Sequence, residues 1–393
     1  MSAPHGKTQE HAVSGAEYRT RLASVYKGMA QDNVDVLVLT APESLYYLVG
    51  FSTFMMAAVP ALVVVPGRDL AFITRAVDVP NILPLLDEAP IGGVHQYTDS
   101  EDPLVSLTRL ILEHTPAARV RIGVEMGSFT MSAMVYAALA AALAPHDLVD
   151  CTHIIERLRI IKSPAEIEHH RTAGRIAVKG LLAAIDAVQP GAKDYEIAAV
   201  AYDTILRAGG EWSGMAQTVK AGPRAGRAHI TWQDEQINVG QPTGMELVGV
   251  KWRYHTPVHR TVIHQPRDQY RRTAEAATEA NAAGLAKLRA GVATGEVWQA
   301  EADVLARYGI GEMAKSRFGY TVGIGFPPNH VQERGVNIVQ GGEVELRPGM
   351  VFHMLTLLLQ PNEYGIGQST SVVITEDGYE DLTPGLPPGP VLR

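Results

Sequence analysis

The stretch "IKSPAEIEHH", residues 161–170, separates two patterns of elements, and that change constrains the fold more than any other feature. Ser163 suits a helix N-cap, Pro164 the first turn, and Glu166 stands three places after the cap. Together they form a capping box at the start of a long amphipathic helix. Before it, helix-like and strand-like runs alternate. "AEYRTRLASVYKGMAQDN" has helical periodicity, while "VDVLVLT", "SLYYLVGF", "PALVVVPG", "DLAFITR" and "VRIGVEM" read as strands. "DPLVSLTRLILEHT" and the Ala-rich "MSAMVYAALAAALAP" read as helices. The alternation predicts an α/β domain over residues 1–160. After it come two helices, a strand-rich stretch at 214–262, helices at 267–290 and 294–308, and closing strands "GEVELRPGMVFHMLTLLLQ" and "GQSTSVVITEDG". The repeated order predicts a structural duplication within 161–393, without a repeat at residue level.

Composition removes several function classes. The net charge is -8, and no basic stripe suggests nucleic acid as a partner. No apolar run has the length of a membrane span. The polar start lacks the h-region of a signal peptide, so the expected location is the cytoplasm. Cys151 is the single cysteine, which excludes an intrachain disulfide and a Cys-based zinc site and leaves a structural thiol. The first dozen residues and the tail "LTPGLPPGPVLR" read as disordered.

Polar chemistry concentrates in "MELVGVKWRYHTPVHRTV", residues 245–262. Glu246, His255, His259 and three cations are interleaved there with Val, Trp and Tyr, as in a core hairpin. His255 and His259 share strand parity and so one face.

"RLRIIKSPAEIEHHRTAGRIA", "RYHTPVHRTV", "ELRPGMVFHM" and "SVVITEDG" resemble landmarks of the creatinase/aminopeptidase P/methionine aminopeptidase family. The resemblance implies an α/β (α+β) chain, with a creatinase-type N-terminal domain (1–160) and a pita-bread catalytic domain (161–393) of pseudo-two-fold symmetry. It also implies a homodimer in which the N-terminal domain covers the partner's site. The family's metallopeptidases hold two metal ions with two Asp, one His and two Glu. Matched by position, these fall on Glu246, Pro257, Val322, Leu355 and Ser369. Hard divalent cations need several oxygen ligands, so the expectation is no catalytic metal and no cofactor.

The family's metal-free members are creatinase and the ectoine hydrolases. His229 of "GRAHITW" matches a creatinase histidine expected on a strand, and His259 stands where creatinase has a glutamate. "RYHTPVHRT", "FPPNHVQER" and "FHM" resemble ectoine hydrolases, whose last strand differs in carrying acidic residues where "GIGQSTSVVITE" has none before Glu376. The resemblance implies a metal-independent hydrolase of C–N bonds in a small cyclic amidine, amide or guanidine compound. His229 is the expected general acid/base, because histidine exchanges protons near neutral pH. Glu246 is the expected stabiliser or nucleophile, its alternative being a salt bridge to Arg253 or Arg260. His259 and His255 assist or orient, although His255 also suits a core position. Substrate contacts are expected from Tyr254, Arg260, His330, Arg334 and His353, the arginines as carboxylate clamps. Phe54 and Met55, with Met56, offer an apolar wall. Two alternatives stay open: a lyase, cyclisation or isomerisation enzyme using the same pocket, and a non-catalytic binding module.

Overall fold

The computed structural model describes residues 11–55, 59–115, 118–332 and 334–393. The chain divides into two compact units, with the boundary between Arg159 and Ile160.

In the first unit the described helices are α1 (Gly15–Gln31), α2 (Pro42–Val49), α3 (Pro103–His114), α4 (Ala133–Ala142) and α5 (Thr152–Ile160). The strands are β1 (Val36–Leu39), β2 (Ala61–Val64), β3 (Leu70–Arg75), β4 (Ile91–Tyr97), β5 (Arg121–Val124) and β6 (Asp147–Asp150), in the order β4-β3-β2-β1-β5-β6. β1, β5 and β6 run parallel, as strands joined through helices do. "SLYYLVGF" is not the expected strand but most of α2. Pro42 occupies its first turn, Gly50 at φ 75° ends it, and Leu45 to Val49 are all buried. A helix without a polar face loses the period that marks it. "IGGVHQY" is a strand that its two glycines hid. Cys151 is buried, which pushes its thiol up to about 11 and leaves it inert.

The second unit opens with α6 (Pro164–Ala187), where the Ser163–Glu166 capping box forms as read. Then follow α7 (Asp194–Arg207), β7 (Thr218–Ala221), β8 (Pro242–Lys251), β9 (Tyr254–Ile263), α8 (Asp268–Leu285) and α9 (Thr294–Tyr308). The chain closes with β10 (Gly319–Phe326), β11 (Asn329–Val331), β12 (Asn337–Ile338), β13 (Val351–Gln360), β14 (Tyr364–Ile374), β15 (Tyr379–Asp381) and β16 (Val391–Leu392). Two helices and then strands thus occur twice. The main sheet path is β11-β10-β13-β14-β9-β8-β7.

Strand alternation divides this sheet into an apolar face and a polar one. Met245 and Leu247 of β8, and Val258 and Val262 of β9, pack with Ile176, Leu181, Ile197 and Ile205 of α6 and α7. Phe352, Met354 and Leu358 of β13, and Ile366 and Val372 of β14, pack with Tyr270, Ala277, Val297 and Leu305 of α8 and α9. α6 approaches β8 so closely that a Cβ on Gly249 would lie 2.0 Å from the Ala173 carbonyl. The tail is ordered, contrary to expectation: β16 pairs with β9 in parallel, and Arg260 Nε donates to the Pro387 carbonyl at 2.8 Å.

Candidate active site

The register of the second sheet gathers polar residues on the face turned away from the helices. Glu246 stands opposite His259, and Val250 opposite His255. Thr218 stands opposite Glu246, and Lys220 opposite Gly244. His353 faces Ser371 on one side and Tyr320 on the other. Directly opposed residues of antiparallel strands project to one side, so Lys220, Glu246, His259, Tyr320 and His353 share a face.

Tyr320 is the hub of this face. Its hydroxyl lies 2.8 Å from His353 Nδ1 and 3.2 Å from His330 Nε2, and it hydrogen-bonds the Glu246 carboxyl. A phenol has one proton to give and lone pairs to accept. Donation to Glu246 and acceptance from two imidazole N–H groups accounts for all three contacts, and it assigns the ring protons to His353 Nδ1 and His330 Nε2. Burial keeps both rings neutral. It pulls His330 down to about 3, with the Arg317 charge adding, and holds His353 well below the ordinary value. Glu246 keeps a little exposed surface. Burial of the rest raises its pKa, while Lys220, a charge on His229 and the Tyr320 hydrogen bond pull it down.

His229 lies on an exposed bend after the short 3-10 turn Gly222–Gly226, not on the strand expected for it. Its φ of 55° is left-handed, a conformation uncommon outside glycine and concentrated at functional sites. His229 stands close enough to act electrostatically on Glu246 when protonated. His259 is buried and pulled down to about 3 by burial, then by Lys220 and Arg260, with a Gly367 backbone hydrogen bond opposing. Among the described residues its Nδ1 has no hydrogen-bond partner.

Other expected site residues are engaged elsewhere. His255 Nε2 accepts the Gly214 N–H at 2.9 Å, so Nδ1 carries the proton and donates to the Arg253 carbonyl at 2.7 Å. The ring lies nearly parallel to His330, at 13° and 6.3 Å between centroids. Both ring nitrogens of His255 are thus engaged within the protein. Tyr254 and Arg260 have the opposite parity and leave the polar face. The Tyr254 hydroxyl donates to Glu166 Oε1 at 3.0 Å, and its ring packs on His169 and His170. The Arg260 guanidinium donates to the Pro387, His259 and Ser369 carbonyls, and burial lowers its pKa to about 10. Tyr254 and Arg260 thus lie off the polar face, away from the place expected for them. Arg334 is exposed on the turn after β11. In the first unit Phe54 is 80% exposed and Met55 39%; Met56 lies outside the described residues.

Two residues of the polar face went unread in the sequence. Tyr320 is two places before Val322, a matched metal-ligand position, and the period of two would have placed both on one face. Lys220 had no such signal, because only the β7–β8 register brings it beside Glu246.

Residues 168–376 match the metallopeptidase family M24, and residues 21–161 match the creatinase/prolidase N-terminal domain. The chain belongs to metallopeptidase family M24, as a hydrolase. An uncharacterized hydrolase/peptidase of Sinorhizobium fredii, y4tM, is 30% identical over 94% of this chain and 96% of its own length. The ectoine hydrolase of Halomonas elongata is 27% identical over 93% of this chain and 95% of its own. A prolidase from Thermococcus sibiricus superposes with a TM-score of 0.86 at 21% identity, over 96% of this chain and 99% of that one. The fold is therefore the pita-bread fold behind a creatinase-type N-terminal domain. Among the described residues no helix is long and apolar enough to cross a membrane.

The residues present do not fit the dinuclear centre of M24 metallopeptidases. Pro257, Val322 and Leu355 offer no donor side chain. Ser369 Oγ already accepts the His259 main-chain N–H at 2.6 Å, and Leu355 pairs with it across the strands. A different donor set exists: Glu246, His330 and His353 each place one ligand atom within 4.8 Å of the others. Two imidazoles and a carboxylate suit a divalent metal. The Tyr320 hydroxyl lies among them, 2.8 Å from His353 Nδ1 and 3.2 Å from His330 Nε2.

Proposed function

We propose that this M24 hydrolase opens a non-peptide C–N bond in a small polar molecule, a cyclic amidine or amide of the ectoine type, without a resident metal ion. The observation that carries the reading is the loss of donors: of five positions matched to M24 metal ligands, Glu246 alone keeps a carboxylate. Similarity to an ectoine hydrolase over nearly the whole chain supports it. Amidine hydrolysis bonds a water oxygen to the amidine carbon, breaks one C–N bond and returns a proton to the leaving nitrogen. His229, exposed on its bend, takes that proton from water and delivers it to nitrogen. Glu246, steadied by Tyr320, faces the cationic amidinium, whose charge favours the ionised carboxylate. His259 Nδ1, buried without a hydrogen-bond partner among the described residues, meets a polar group of the substrate.

The test compares wild type with His229→Gln and Glu246→Gln, reading turnover and ligand binding separately. H229Q is expected to lose about 10²- to 10⁴-fold in kcat while ligand affinity holds within severalfold. E246Q is expected to lose both. Labelled solvent oxygen should appear in the product, as hydrolysis requires and a lyase step does not. Release of free proline from an Xaa-Pro dipeptide on addition of Mn²⁺ would overturn the reading in favour of a peptidase.

A further inference from the structure

We propose that Lys220 anchors an anionic group of the substrate, so that the site takes a small zwitterion whose carboxylate meets Lys220 while its cationic C–N group meets Glu246. The inference rests on the reading that this face binds a small polar molecule. Lys220 is 4% exposed. Its Nζ donates to the Arg227 carbonyl at 3.0 Å, its one hydrogen bond among the described residues. An ammonium has three N–H donors, so two remain unused in a buried place. Leaving a buried cation half-satisfied is costly, and a bound anion would remove that cost.

The surroundings favour an anion at this point. Lys220 projects on the Glu246 face, two residues along the sheet from it, about 7 Å in strand rise. The charges of Lys220 and Glu246 act on each other, yet no ion pair joins them among the described residues. Lys220 therefore balances the site electrostatically without spending its N–H groups on the carboxylate. The residue opposite Lys220 is Gly244, so no side chain stands across the strands from Lys220; a Cβ built there would meet His259 Nε2 at 3.7 Å and Thr261 Oγ1 at 3.9 Å. The two arginines that a carboxylate would otherwise seek are not placed for it: Arg260 is bound to three carbonyls, and Arg334 is exposed on a turn. Lysine binds anions as a point charge, without the planar fork that selects arginine for bidentate pairing. A compact carboxylate next to an amidinium or amide nitrogen matches the Lys220–Glu246 arrangement.

The experiment measures equilibrium binding, not turnover. Calorimetry with wild type, Lys220→Met and Lys220→Arg uses ectoine and its carboxamide, which keeps the ring and loses the negative charge. Acetate, titrated by NMR, is a probe independent of any reaction. Wild type is expected to prefer the acid over the amide by about tenfold or more, the scale of a charge-assisted hydrogen bond. K220M is expected to bind acid and amide alike, with amide affinity unchanged, and K220R to keep most of the preference. Loss of the acid preference with amide binding intact excludes a merely structural lysine. If ectoine fails to bind, the hydrolase reading falters but acetate still decides: saturable binding abolished in K220M supports the anchor. Should K220M not fold, Lys220→Gln replaces it, and equal wild-type affinities for acid and amide refute the anchor without any variant. Acid preference or acetate binding that persists in the folded variant at the wild-type level also overturns the proposal.

Discussion

Tyr320 donates one proton and accepts two hydrogen bonds, so removing its hydroxyl disturbs three titratable neighbours at once. Tyr320→Phe should therefore change catalysis more than its size suggests. A hydrogen bond to a charged group is worth ~1.5–3 kcal/mol, which predicts a loss of about 10- to 100-fold in kcat/KM. The lost bond is one that lowers Glu246. The limb of the pH–rate profile that reports Glu246 should therefore move to higher pH, and an unmoved limb would contradict the hub. His255 predicts the reverse pattern. His255→Ala strands the Gly214 N–H and the Arg253 carbonyl, each at ~1–3 kcal/mol. Urea unfolding should show that loss of stability, while KM stays within severalfold. Much of this was legible in the sequence and part was not. Parity sent His255 and His259 to one face correctly. The same parity, applied to Tyr254 and Arg260, would have placed them off that face, but motif similarity carries residue types without faces. Arg260 was further obscured because its partner, Pro387, lies in a tail whose Pro/Gly content suggested disorder.

At the scale of elements, α2 shows why "SLYYLVGF" misleads. Its buried surround erases the helical period, and what fixes it as a helix is distant in sequence. The Glu125 carboxylate accepts the Thr40 and Ala41 N–H groups, both at 2.8 Å, and the Ser44 hydroxyl at 2.5 Å. Burial nevertheless raises Glu125 to about 7, against those hydrogen bonds. A carboxyl whose folded pKa is raised contributes stability that is full below its unfolded value and is lost as pH rises through the folded one. Glu125→Gln has no such dependence. Relative to wild type, the variant should gain between pH ~4.5 and ~7 by roughly 3 kcal/mol in total. Chemical denaturation at a series of pH values measures that difference, and a flat difference would mean Glu125 stays ionised throughout. His229 is the other element-level surprise. Its family match suggested a strand, and the chain instead places it on an exposed left-handed bend.

At the scale of the whole molecule, the type and order of most elements followed from period and caps. The Ser163–Glu166 box marks the start of α6 in sequence and structure alike. The two-helix-then-strands order recurs as expected, and it puts helices on one face of the second sheet and the polar cluster on the other. The sequence did not reveal that β14 lies next to β9, or that β7 sets Lys220 opposite Gly244. Strand neighbours far apart in sequence are chosen by packing, and the site is made of such neighbours. The fold is shared with prolidases, so fold alone does not separate a peptidase from a hydrolase of another C–N bond. The donor set bears on the choice: positions matched to M24 metal ligands hold Pro257, Val322, Leu355 and Ser369, and this is what favours the proposed side-chain chemistry. The most direct measurement is an NMR time course of the purified protein with ectoine, with and without excess EDTA, and metal content determined on the same sample. The account predicts ring opening to acetyl-diaminobutyrate at a rate that EDTA leaves unchanged. Activity that disappears in EDTA and returns with a divalent ion, or ectoine that stays intact in both buffers, would contradict it.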